Sequence, residues 1–277
     1  MIHTHIRRIL VPCDFKEDSQ SALKYAAFLA KKDQAQIILL HIISVSSQLE
    51  QAEREMQGWL NKMNSMYTGE VTSLVEVGNV KEGIGEIAQR ESCHLVVMPT
   101  HGIRGMQHVT GSLALRVISE SNVPFLVVQQ RVVREHGLQK LVVPINFRPQ
   151  ILEELPLIIS LAQTFLSEVH LVFSNLNEEE TNTGLVEQIE HAFAEAKVAC
   201  LLHHVSTGTN FARAVAHYAS GVDADLICAI NYSYEYLYTL FPRAEEEDLI
   251  YNEAQIPVLL LTPEVQESNV YSIPLWH

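Results

Sequence analysis

A chain that repeats its own strand pattern at a fixed distance has little choice but to build the same unit twice, and this one does so across its whole length. Val11-Pro12-Cys13-Asp14-Phe15 recurs as Val143-Pro144-Ile145-Asn146-Phe147, an offset of 132 residues. The same offset carries Leu23, Leu29, Ala30, Ile37 and Leu39 onto Leu155, Leu161, Ala162, Val169 and Leu171. Leu95-Val96-Val97 reappears as Leu226-Ile227-Cys228 at an offset of 131, and Val123-Pro124-Phe125-Leu126 as Ile256-Pro257-Val258-Leu259 at 133. A drift of one residue in either direction is what small loop changes leave after a duplication.

Within the first copy, short apolar runs alternate with longer segments of helical periodicity. Strands are expected at Arg8 to Cys13, Ile37 to Ile43, Val71 to Val77, Leu95 to Met98 and Pro124 to Gln129. Helices are expected between them, over Asp18 to Lys31, Gln48 to Met66, Lys81 to Glu91 and Ser112 to Ser121. Strict alternation of this kind implies parallel strands joined by right-handed crossovers, with helices on both faces. The second copy follows suit with strands at Lys140 to Pro144, Glu168 to Phe173, Ala199 to Val205, Leu226 to Ile230 and Pro257 to Thr262; Pro156 should kink its first helix or delay its start. The expected architecture is therefore α/β, two tandem doubly wound units of five parallel strands, residues 1–133 and 138–263, each able to bury a core of its own. Residues 131–138 form the linker. A tail, 264–277, carries Tyr271, Ile273, Leu275 and Trp276 and is expected to cover an apolar surface.

Charge separates the two copies. Up to Gly137 there are 14 Lys and Arg against 14 Asp and Glu; beyond it there are 5 against 19, so the second copy holds the whole net charge of −14. Such a balance argues against nucleic acid as a partner, which calls for a basic face. No apolar run is long enough to span a bilayer, and the first residues lack the apolar core of a signal peptide, so a cytoplasmic location is expected. The cysteines Cys13, Cys93, Cys200 and Cys228 are far apart and form no CxxC pair, which reads as free core thiols. Among the 13 histidines, neighbours such as His203 and His204 point to opposite faces of a strand, and no set has thiol or carboxylate companions at ligand spacing; no metal site is predicted.

Ligands of open parallel sheets bind beyond the carboxyl ends of the strands. After the first strand stands Asp14-Phe15-Lys16; after the fourth comes Pro99-Thr100-His101-Gly102-Ile103-Arg104-Gly105, leading to Gly111-Ser112 at a helix start. Glycines there let backbone amides approach phosphate oxygens, and a helix start offers free N–H groups. The second copy has Asn146 in place of the acid, and Ile230-Asn231-Tyr232-Ser233-Tyr234-Glu235-Tyr236 without a glycine where the first copy has its loop.

Ile9-Leu10-Val11-Pro12-Cys13-Asp14-Phe15, Leu40-His41-Ile42, Val77-Gly78-Asn79-Val80, Val97-Met98-Pro99-Thr100-His101-Gly102 and Gly111-Ser112 together resemble a universal stress protein domain, over nearly all of residues 6–130 and more weakly over 138–262. The resemblance implies a Rossmann-like fold of the adenine nucleotide alpha hydrolase type and a stress-response role without dedicated catalysis. It implies ATP or another adenine nucleotide, with no metal beyond nucleotide-associated Mg, bound in the first unit only. Asp14 and Ile42 would then face the adenine end, Gly102 the ribose and phosphate turn, and Gly111 with Ser112 the phosphates, with Met98 also among the nucleotide-binding residues. The chain departs from the family motif twice: Pro99 replaces its first glycine, and eight residues instead of nine separate Gly102 from Gly111. Family members commonly dimerise through their last strands, which implies an internal pseudo-dimer of the two units and leaves room for a further homodimer. Two alternatives stand beside this reading: a scaffold that binds no nucleotide, and a weak ATP hydrolase using Asp14.

Overall fold

In the computed structural model of the chain, the described residues are 6–99, 121, 123–145, 151–174, 183–205, 210–230 and 246–261. Strands β1 (Arg8–Pro12), β2 (Gln36–Ile43), β3 (Val71–Val77), β4 (Leu95–Pro99) and β5 (Phe125–Val128) come from the first half. Helices α1 (Gln20–Asp33), α2 (Leu49–Met66) and α3 (Val80–Arg90) lie between the first four. The second half supplies β6 (Lys140–Pro144), β7 (Glu168–Ser174), β8 (Cys200–Val205), β9 (Leu226–Ile230) and β10 (Val258–Leu261), with α4 (Ile151–Phe165), α5 (Thr183–Glu195), α6 (Phe211–Gly221) and α7 (Glu246–Ile250). The predicted helix over 112–121 falls almost wholly outside the described residues, as do Gly102, Asn146, the tyrosine-rich stretch after β9 and the tail 264–277.

The two five-stranded units expected from sequence meet through their last strands, β5 and β10, and so form one sheet. Its order is β3-β2-β1-β4-β5-β10-β9-β6-β7-β8. Each half is parallel throughout, and the join between halves is antiparallel, with Val127 opposite Val258, Leu126 opposite Leu259 and Phe125 opposite Leu260. Nor does each half keep a separate core. On one face α1, α2, α4 and α5 cover Ile9, Val11, Leu39, Leu126, Leu259, Val143 and Leu171 in a single apolar cluster. On the other, α3, α6 and α7 cover Leu10, Leu40, Val127, Val258, Val142 and Val172. Alternate residues of each strand therefore feed opposite layers, as the period of two requires.

Equivalent backbone features recur at the repeat offset. Gln34 and Leu166, at the ends of α1 and α4, both take left-handed conformations with φ of 54° and 56°, and Ser92 and Asp223, after α3 and α6, have φ of 53° and 57°. The Cys13 N–H donates to the Leu40 carbonyl at 2.8 Å, and the Ile145 N–H donates to the Val172 carbonyl at 2.8 Å. Helix α4 runs through Pro156 instead of starting after it. The missing N–H forfeits one helical bond, while Ile151, Leu155, Ile158 and Ala162, on both sides of the proline, are all buried.

The linker is held down. Buried Asp225 accepts hydrogen bonds from the Gln139 and Lys140 N–H groups, each at 3.0 Å. Arg134 pairs with Asp223, Nη1 to Oδ2 at 2.7 Å with a second contact from Nη2 to Oδ1, and this holds the Asp223 carboxyl below its usual range. Across the seam, Gln129 Nε2 donates to the carbonyls of Ile250 and Asn252, both at 3.1 Å.

Candidate functional site

β1 delivers Asp14 to the carboxyl edge of the sheet, where the chain must turn sharply into α1. Phe15 makes the turn with φ of 64°, an uncommon conformation for a bulky residue. Its ring is fixed against His41 at 4.1 Å between centroids and lies 6.1 Å from Trp59. His41 Nδ1 stands 2.8 Å from the Cys13 carbonyl; a carbonyl only accepts, so this nitrogen carries the proton. The histidine thus staples the end of β2 to the turn.

Asp14 is 8% exposed, and its two oxygens have different fates. Oδ1 accepts from the Ser19 hydroxyl at 2.8 Å and from the Lys16 N–H at 3.2 Å. Ser19 occupies the N-cap position of α1 yet makes no cap bond, because its hydroxyl is committed to Asp14. Oδ2 has Lys16 Nζ at 3.2 Å as an ion-pair partner. It nevertheless accepts no aligned hydrogen bond, the buried side-chain oxygen left without one among the described residues. Such an atom is costly unless a donor completes it.

A narrow cleft of ≈ 20 Å³ opens beside Asp14, walled by Pro12, Leu40, His41, Ile42, Val80 and Ile84. That is room for about one water. Ile42 is part of the wall, and its Cδ1 lies 3.1 Å from where a Cβ on Gly83 would stand, so α3 comes close because residue 83 has no side chain. Met98 is not part of the wall: it is 1% exposed, packed in the apolar layer that holds Leu10, Leu40 and Ile84. Pro99 ends β4 in register with Val128. Gly102, Gly111 and Ser112 lie outside the described residues.

Structure therefore brings Asp14 and Ile42 together and sets Met98 behind them. Sequence reasoning overlooked Ser19 and Lys16 as partners of Asp14, although an Asp two residues before a backbone N–H and five before a hydroxyl is an ordinary turn signal. Cys13, next to Asp14, is buried. Burial first, and the Asp14 charge second, push its thiol far above the ordinary range.

Among the described residues, no group of three metal-binding side chains comes together, and no helix is long and apolar enough to cross a membrane.

Residues 5–129 match the Universal stress protein family. Universal stress protein MJ0577 of Methanocaldococcus jannaschii is 27% identical over 155 residues, covering 45% of this chain and 96% of the relative. In the alignment to that protein's solved structure, identity is 30%, over 46% of this chain and 98% of that one, at a TM-score of 0.35. Universal stress protein G of Escherichia coli O157:H7 is 29% identical over 141 residues, covering 44% of this chain and 99% of the relative. For the fold as a whole, a universal stress protein from Archaeoglobus fulgidus superposes with a TM-score of 0.75 at 16% identity, covering 95% of this chain and 98% of that one. The motifs of the first half, the doubly wound sheet around them, the family match over residues 5–129 and the curated relatives lead to one conclusion: the chain belongs to the universal stress protein family.

Proposed function

We propose that the first half binds an adenine nucleotide, without turning it over, in the cleft beside Asp14, and that the second half has no nucleotide site. The observation that carries this reading is the buried Oδ2 of Asp14, which lacks an aligned hydrogen bond and lies on the same cleft as Ile42. An exocyclic amino group on a base supplies the donor that this acceptor lacks, and Ile42 supplies an apolar wall for the ring. On this reading Gly102, Gly111 and Ser112 serve the ribose and phosphates. At ≈ 20 Å³ the cleft must widen as a base enters, and α3, which forms the wall opposite Asp14 through Val80 and Ile84, is the element to move. Titration calorimetry of the purified chain with ATP, ADP and AMP tests the proposal. Asp14→Asn, which puts an N–H₂ donor on one side of the group, should weaken binding about ten- to a hundredfold, the effect of a hydrogen bond to a charged group. No heat with any of the three nucleotides would sink the reading, and steady release of phosphate abolished by Asp14→Ala would show a hydrolase instead.

The narrow cleft and Pro99 favour a second reading, an interaction protein whose first half has lost its ligand. In that case the antiparallel β5–β10 join would serve to make one chain a pseudo-dimer with a fixed outer surface. Mass spectrometry of small molecules released from the freshly purified protein separates the two, since only the first predicts a stoichiometric nucleotide.

A further inference from the structure

The second half carries a side-chain constellation that its counterpart lacks. His170, on β7 and 4% exposed, lies between a carboxylate and a phenol. Its Nε2 is 2.8 Å from Glu168 Oε1, and its Nδ1 is 2.7 Å from the hydroxyl of Tyr218 on α6. His203, on β8, stacks on the Tyr218 ring at 4.1 Å and 21°. A carboxylate only accepts, so Nε2 carries a proton, and in the tautomer with that proton alone Nδ1 faces the phenol O–H as a base.

Nothing in the fold requires these groups. Strand register pairs Arg8 with Gln36 and Lys140 with Glu168, so Glu168 and His170 correspond to Gln36 and Ile38. Leu40 faces Leu74 as Val172 faces His203. Ile87 stands five residues before the left-handed Ser92, as Tyr218 stands five before the left-handed Asp223. In the first half the corresponding positions Ile38, Ile87 and Leu74 belong to or pack on one apolar layer. At those positions the second half carries His170, His203 and Tyr218, whose ring still packs on the layer, and with Glu168 in place of Gln36 they form an acid, a base and a hydroxyl in hydrogen-bonded series, the arrangement that activates a nucleophile.

We propose that Tyr218 is a primed nucleophile that accepts an acyl group from a small uncharged activated ester, with His170 as its base and Glu168 as the positioning residue. In the step, Tyr218 Oη bonds to the acyl carbon and the bond from that carbon to the leaving oxygen breaks, its electron pair departing with the leaving group. The phenol proton passes to His170 Nδ1, leaving an imidazolium whose other N–H is already held by the Glu168 carboxylate. The donor class follows from the surroundings. Glu168, its side chain 40% exposed, opposes an anionic donor such as a phosphate ester. Lys140, beside it on β6, is directed at the Val222 carbonyl at 3.0 Å, and the half-exposed Leu201, opposite His170 on β8, offers apolar contact. Burial first, and Glu168 second, raise the Tyr218 phenol above its ordinary range. It therefore stays protonated at neutral pH and needs the base.

The test is acetylation of the full chain by p-nitrophenyl acetate, followed at each of the nine tyrosines by peptide mass spectrometry. Tyr218 should react at least about tenfold faster than any other tyrosine, and its rate should level off with pH once its base is free of the second proton, while the others go on rising with phenolate formation. The counterpart half supplies safe replacements. His170→Ile, the residue at position 38, should bring Tyr218 down to the rate of the other tyrosines and restore a rising pH profile. Glu168→Gln, the residue at position 36 and at a part-exposed site, should slow it several-fold with the thermal midpoint unchanged, and Glu168→Asp should recover part of the rate. Reaction of Tyr218 no faster than its peers, or at a rate indifferent to both Glu168→Gln and His170→Ile, overturns the proposal.

Discussion

Individual side chains show how the first half organises an anionic centre without an excess of positive charge. Asp14 is stabilised by one hydroxyl, one backbone N–H and one ammonium, and all three come from the next five residues of the chain. A local cage of this kind is built within one turn of chain, and it leaves Oδ2 with an ion-pair partner but without an aligned hydrogen bond. Cys13, adjacent to it, donates its thiol to the Leu40 carbonyl at 3.4 Å. The other thiols are subdued for the same reason. Cys93 is pushed up to about 11 and Cys200 to about 12, by burial first and by Glu91 and Glu190 second, and Cys228 is wholly buried. Reaction with disulfide reagents needs thiolate, whose share at pH 8 for a thiol of pKa about 12 is roughly one part in ten thousand. Native protein at pH 8 should therefore release almost no colour from an aromatic disulfide reagent within minutes, and all four cysteines should react once urea unfolds it. A fast native phase would show that one of these thiols is in fact open to solvent.

Elements of this molecule are positioned by a few close approaches, and these locate the sensitive substitutions. Gly69, in the turn before β3, would place a Cβ 2.2 Å from the Tyr67 hydroxyl, which itself donates to the Ala35 carbonyl at 2.6 Å. Gly69→Ala should destabilise by about 1–3 kcal/mol, the usual cost of overpacking, read as a lower urea midpoint with an unchanged slope. Asp225→Ala strips the exposed Gln139 and half-buried Lys140 N–H groups of their shared acceptor and should cost about 1 kcal/mol, the net worth of ordinary hydrogen bonds; a loss under a few tenths would mean that water replaces the carboxylate. Much of this level was legible in the sequence. Strands buried on both faces read as continuous apolar runs, so β6 and β9 fall where the runs do. Helix boundaries were less legible, because side chains compete for the backbone: the Glu17–Ser19 turn displaces the start of α1 to Gln20, and buried residues on both sides of Pro156 keep α4 helical through the proline. Strand-end logic located Asp14 and the family resemblance added Ile42, and the two line one cleft, whereas Met98, one residue before the end of β4, points into the core layer where alternation places it. Distances of the kind seen between Glu168, His170 and Tyr218 leave no local signal, since the three come from two elements 48 residues apart.

At the scale of the whole molecule, the antiparallel join of β5 to β10 turns two similar halves into one mechanical unit. Both sheet faces are covered by cores that cross the seam, with Leu126 and Leu259 in one layer and Val127 and Val258 in the other. Neither half can unfold without exposing apolar surface of its neighbour, and at about 25 cal/mol per Å² that exposure penalises a half-open state. The antiparallel join also hides two strand edges that would otherwise recruit other chains. Unfolding should therefore be a single transition, with calorimetric and van't Hoff enthalpies in agreement despite the length of the chain. A seam substitution sharpens the test. Leu126→Ala removes a side chain that is 2% exposed and sits opposite Leu259, and should cost about 2–5 kcal/mol, as large-to-small changes in cores do. If the halves are coupled, hydrogen exchange of the central strands β1 and β6, on opposite sides of the seam, accelerates by the same factor in that variant, because both exchange through one global opening. If they are independent, β1 accelerates and β6 does not, and the thermogram of the variant splits into two peaks. The coupled outcome would also let a nucleotide bound beside Asp14 slow exchange in β6, since a ligand of the native state raises the cost of every opening that destroys its site.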